Sequence, residues 1–82
     1  MFGDITILYR TVNERERYYT IQLLPNLFGE SMVIRTYGST KKVKPTGEIR
    51  EVYANEVDAQ HSVEVLIASK FNRGYYSKST QQ

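Results

Sequence analysis

Pro25 and Gly29 stand between two segments whose residues alternate in type, and this connection constrains the rest of the chain. Before it, residues 17–24 place Tyr19, Ile21 and Leu23 on one face and Tyr18, Thr20 and Gln22 on the other. After it, residues 31–37 are mostly β-favouring and end at Gly38. A period of two means strands. Pro25 has no N–H to donate, so the ladder is expected to stop before it. Pro25-Asn26 and then Gly29 make a tight loop.

Two more segments share the period. Residues 4–11 set Ile5, Ile7 and Tyr9 against Thr6, Leu8 and Arg10, and the polar stretch 12–16 reads as a hairpin loop. Residues 48–53 set Ile49, Glu51 and Tyr53 against Arg50 and Val52, after the turn Pro45-Thr46-Gly47. From Glu56 to about Asn72 the period changes. Ala59, Val63, Leu66, Ile67 and Phe71 recur at spacings of three and four, the pattern of an amphipathic helix. Asn55 is placed to cap its start with Asp58, and Arg73-Gly74 to stop its end.

The expected fold is therefore α+β: a four-stranded antiparallel sheet with one face packed on a single C-terminal helix. The 82 residues make one domain, with residues 77–82 expected to fray. On the third strand, Met32 and Ile34 are the more apolar alternate set and are assigned inward. Arg35 and Tyr37 then project together from the open face. Ile21, Leu23, Met32, Ile34, Val63, Leu66, Ile67 and Phe71 form the expected core.

Composition narrows the chemistry. There is no cysteine, which removes disulfides, thiolate metal sites and cysteine nucleophiles. The one histidine, His61, falls beside the apolar helical stripe with no readable serine or carboxylate constellation, and reads as an ordinary helix residue. The carboxylates form no motif, and no glycine-rich phosphate loop is present. The expectation is no enzyme, no cofactor, no metal and no evident small-molecule substrate. No apolar run is long enough for a membrane span, and Met1-Phe2-Gly3-Asp4 does not begin a signal peptide. A cytoplasmic location is expected.

The charge is uneven. Residues 1–34 carry three basic and four acidic side chains, residues 35–82 eight and five. The excess collects in two groups. Arg35, Tyr37, Lys41, Lys42 and Lys44 join cations to an aromatic ring, a combination suited to phosphate and to a base or sugar. Lys70, Arg73, Tyr75, Tyr76 and Lys78 form a second group, although cations favour a helix C-terminus for structural reasons too.

Three features together resemble the WGR domain family. They are the aromatic strand from Tyr18 to Leu24, Leu27-Phe28-Gly29-Glu30 leading to Tyr37-Gly38, and the helix end Lys70-x-x-Arg73-Gly74-Tyr75. The family signature Trp-Gly-Arg reads Tyr37-Gly38-Ser39 here, and Thr40-Lys41 replaces the glycine that commonly follows. The resemblance implies a sheet with one helix, no catalysis and a nucleic-acid-binding role. Tyr37 stands where the family's tryptophan lies against DNA, whereas Ser39 has no guanidinium. The expected function is weak, non-sequence-specific binding of duplex DNA through Arg35, Tyr37, Lys41, Lys42, Lys44 and Arg73. The alternative is a protein-interaction or homo-oligomerisation module, for which seven tyrosines and open sheet edges are suited.

Overall fold

The computed structural model describes residues 5–78. Four strands, β1 (Ile5–Val12), β2 (Arg15–Pro25), β3 (Ser31–Ser39) and β4 (Gly47–Tyr53), precede one helix, α1 (Glu56–Asn72). The strands pair antiparallel in chain order, so the sheet is the expected meander with one C-terminal helix. Residue 4, expected to open the first strand, lies outside the described residues, as do residues 79–82 of the expected frayed tail.

The first hairpin is tighter than its polar sequence implied. Val12 pairs with Arg15 and Thr11 with Glu16, leaving only Asn13 and Glu14 to turn the chain. Both have positive φ, 52° and 67°, as a two-residue turn matched to strand twist requires.

The second hairpin is built around Asn26. Its side-chain oxygen accepts from the backbone N–H of Phe28 at 2.8 Å and of Glu30 at 3.0 Å. Its backbone N–H donates to the Glu30 carbonyl at 2.9 Å, and its side-chain amide to the Glu30 carboxylate at 2.9 Å. Gly29 supplies the positive φ of 81°. The braced turn holds Leu27 and Phe28 out in solvent, 97% and 85% exposed.

The face of β3 is the main correction. Pro25 does not end the ladder; it pairs with Ser31. That register sets Leu23 opposite Val33, Ile21 opposite Arg35 and Tyr19 opposite Tyr37. Paired residues share a face. Since Tyr19, Ile21 and Leu23 lie under the helix, Val33, Arg35 and Tyr37 do too. Met32 and Ile34, assigned to the core from sequence, lie on the opposite face and are only half-buried. A shift of one residue in register exchanges the two faces completely.

The core is Tyr19, Ile21, Leu23, Val33 and Ala59, with Tyr37, Tyr53, Val63, Leu66, Ile67 and Tyr75 packed partly buried against it. Leu8 is also fully buried. Phe71, expected in the core, is 49% exposed. The space beside the last helical turn is filled by Tyr75, which folds back onto the core, and by the Lys70 side chain over Tyr19.

The helix is capped at both ends. The Asn55 side-chain oxygen accepts from the Asp58 backbone N–H at 2.8 Å. At the other end Tyr75 N–H returns to the Lys70 carbonyl and Gly74 N–H to the Phe71 carbonyl, both at 3.0 Å, with Gly74 at φ 97°. This is the paired bonding of a Schellman cap. The chain then crosses to the far edge of the sheet. Tyr76 and Tyr9 exchange backbone hydrogen bonds of 2.8 Å, and the Lys78 ammonium lies 2.5 Å from the Glu16 carboxylate.

Candidate nucleic-acid interface

The helix cap and the corrected face of β3 together make a cleft. It opens between the sheet and the C-terminal end of α1, with a volume of about 320 Å³. Its walls bring together Arg17 and Tyr19 from β2, Arg35 and Tyr37 from β3, and Lys70 and Tyr75 from the helix end. The two basic-aromatic groups that stand apart in the sequence therefore meet in space.

The aromatic part is ordered by strand pairing. Tyr19 and Tyr37 are directly opposed, and their rings lie nearly parallel, 12° apart with centroids at 5.9 Å. Tyr75 meets Tyr19 edge to face at 6.1 Å. Both arrangements suit the ring quadrupole. Gly47, the partner of Tyr37 on β4, has no side chain, and a Cβ there would collide with the Tyr37 phenol. Gly38 is needed for a similar reason: a Cβ would come within 3.0 Å of both the Thr46 backbone nitrogen and the Tyr18 hydroxyl.

The cations are crowded. The Lys70 ammonium sits 4.1 Å above the Tyr19 ring centroid and 5.5 Å from that of Tyr75. Arg10 lies 6.0 Å from the Tyr75 centroid. Burial, followed by the neighbouring charges of Arg73, Arg35 and Arg10, holds the Lys70 pKa below the usual lysine range. Arg35 is mostly covered, with 19% of its side chain exposed. It approaches the Glu51 carboxylate at 3.3 Å and the Tyr19 hydroxyl at 3.4 Å. Its Nε is buried and has no hydrogen-bond partner among the described residues. A guanidinium has five N–H donors, and these two long contacts leave it under-satisfied.

The expected site residues are placed unequally. Arg35 and Tyr37 line the cleft, under the helix end rather than on the open face. Arg73 is the exposed cap residue and acts on the cleft through its charge on Lys70. Lys41, Lys42 and Lys44 are exposed on the loop 40–46. That loop adjoins the cleft where Thr46 N–H donates to the Tyr37 carbonyl at 2.8 Å. Of the second group, Lys70 and Tyr75 join the cleft, while Tyr76 and Lys78 pack against Tyr9 and Glu16 away from it. Sequence reasoning missed Arg17. It lies on the same alternating face as Tyr19, two residues away, and that was its available signal.

Among the described residues, no group of three His, Cys, Asp or Glu side chains is arranged to hold a metal. No helix among them is long and apolar enough to cross a membrane. No curated protein and no solved structure gives a match to the chain. The WGR domain family matches residues 5–82, nearly the whole sequence, and the chain belongs to that family. WGR domains are small modules of nucleic-acid-binding type, not catalytic domains.

Proposed function

We propose that this WGR domain is a non-catalytic module that binds duplex DNA weakly and without base preference. The observation that carries the reading is the gathering of Arg17, Arg35, Lys70 and Arg73 at one end of the helix-bearing face, beside the exposed lysines of loop 40–46. Cations in this arrangement neutralise backbone phosphates and release counterions. Phosphate contacts position a duplex but carry no sequence information. Lys41, Lys42 and Lys44 form the solvent-facing part of the surface. Arg35 and Tyr37 form its recessed part.

Titration of a blunt duplex at several salt concentrations tests this. Affinity should fall with salt, with a log–log slope of roughly −0.9 for each phosphate contacted. Changing Lys41, Lys42 and Lys44 to Gln should flatten that slope. Binding indifferent to salt, or undetectable at low salt, would reject the reading.

A second reading, a protein-interaction or self-association module, is favoured by a different surface. Leu27 and Phe28 protrude from their turn, and Ile5, Ile7 and Val52 are exposed on the sheet face away from the helix. Exposed apolar side chains of this kind are available to an interaction surface. Sedimentation over a concentration range separates the two: self-association that persists at high salt, without DNA binding, supports the second.

A further inference from the structure

We propose that two copies of this chain pair edge to edge through β4, antiparallel about a twofold axis at Ile49, so that their sheets become one. The inference rests on the self-association reading above and names the surface that carries it.

The two edges of the sheet are not alike. The outer side of β1 is taken in part by the C-terminal segment, through the Tyr76–Tyr9 backbone bonds and the Lys78–Glu16 ion pair. β4 pairs with β3 on one side, and among the described residues no strand pairs with its other side. An unpaired edge offers its N–H and C=O groups to a further strand. Apolar side chains flank this edge on both faces of the sheet. Val52 is exposed on the open face. On the helix side Ile49 is 37% exposed, and Val65 of α1 stands exposed beside a groove of about 380 Å³ that Glu51 and Tyr53 also line.

The sequence of β4 selects a second copy as the occupant. A twofold axis normal to the sheet keeps each face on its own side, so one residue of β4 must stand opposite itself. Glu48, Arg50 or Glu51 in that position sets like charges in opposition, which destabilises a ladder. Val52 there pairs only Glu51–Tyr53 of the strand, and the end residues pair still less. Ile49 there is complementary throughout. Ile49 meets Ile49, Glu48 meets Arg50 of the second copy, Arg50 meets its Glu48, and Glu51 faces its Gly47. Glu48 and Arg50 already lie side by side on the open face, 2.6 Å apart and exposed. This register sets two of each in a block of alternating charge. The same antiparallel run carries the lysines of loop 40–46 towards the β4–α1 junction of the second copy, where Glu56 and Asp58 are exposed. Salt screens such pairs but leaves the backbone ladder, so the dimer should weaken with salt without being lost.

The test is sedimentation of the 82-residue protein over a concentration range, beside the variants Glu48→Arg and Arg50→Glu. The wild type should form a dimer. Each variant alone sets like charges opposite one another at two places and should raise the dissociation constant about tenfold. An equimolar mixture of the two variants restores opposite charges at both places and should dimerise about as tightly as the wild type. Ile49→Cys introduces the chain's only thiol. Directly opposed residues lie about 4.5–5.5 Å apart at Cα, within disulfide reach, so oxidation should link the dimer. Val57→Cys, at an exposed position on the first turn of α1, should not link it. Dispersed amide spectra confirm that each variant is folded. A dimer that is indifferent to both charge reversals, or that Val57→Cys links as readily as Ile49→Cys, would overturn the inference and leave self-association through another surface. A monomer at every concentration would overturn it together with the self-association reading and leave the duplex reading untouched.

Discussion

Tyr37 and Arg35 show how single residues set both the packing and the chemistry of this domain. An arginine is rarely buried unpaired, and that rule favours an exposed Arg35 when only the sequence is read. The rule is satisfied differently here: Arg35 is recessed, with Glu51 and the Tyr19 hydroxyl as partners. Its position under the helix brings Tyr37 under it as well, onto Tyr19 on one side and above Gly47 on the other. Tyr37 is therefore both a packing residue and a cleft wall. Gly47→Ala would drive a methyl into the phenol, and overpacking of this kind typically costs about 1–3 kcal/mol. In a Tyr37→Leu background the obstacle is shorter, so the same change at Gly47 should be nearly neutral. Urea denaturation of the four proteins measures the coupling. Strictly additive effects would mean that the ring does not occupy the space above Gly47.

At the scale of elements, most of the fold was legible in the sequence, because local periodicity carries it. The four alternating segments, the helix from Glu56 and both of its caps follow from residue spacing. Strand pairing register does not, since it depends on how many residues the turn consumes. Ending β2 at Leu24 predicts a pairing of Leu24 with Ser31 and turns Met32 and Ile34 inward. Letting Pro25 pair with Ser31 shifts the register by one and turns Val33, Arg35 and Tyr37 inward instead. The short Asn26 turn, closed by its own side chain, fixes the second choice. Half of the candidate site was legible, as two separate groups of cations and tyrosines. Their union was not, because it depends on the helix end meeting the middle of β3, a tertiary contact. The cap at Gly74 makes that contact by returning Tyr75 to the core. A Cβ at Gly74 would meet only Arg10 Nε, at 3.7 Å, so the demand there comes from the backbone alone. Gly74→Ala should cost about 1–2 kcal/mol, the penalty of a left-handed conformation for an L-residue. It should also weaken the Lys70–Tyr75 contact, seen as a change in the Tyr75 ring shifts. An unchanged unfolding midpoint would show that the cap is not under this constraint.

The whole molecule divides its surfaces by kind. One sheet face lies under the helix and gathers cations at the helix's C-terminal end; the other exposes Ile5, Ile7 and Val52 to solvent. Crowding like charges beside a partly buried ammonium opposes folding, and the opposition depends on pH. The Lys70 pKa is lowered by burial and then by Arg73, Arg35 and Arg10, so the folded state holds that proton less tightly than the unfolded chain does. Below the folded pKa both states carry the charge and the folded state bears the full penalty. As pH rises from there towards the usual lysine range, the folded state releases its proton first and the penalty falls. Lys78 behaves in the opposite sense. Its bond to Glu16 raises its pKa, so its contribution is complete below the usual lysine range and is lost as pH climbs through the raised value. The two effects overlap in a wild-type pH profile, and a variant separates them. The stability of the wild type relative to Lys70→Gln should rise with pH from neutrality into the lysine range, as measured by urea denaturation at each pH. The same comparison against Lys78→Gln should fall at the top of that range. A flat or falling difference for Lys70→Gln would show that the ammonium is not crowded by burial and by Arg73, Arg35 and Arg10.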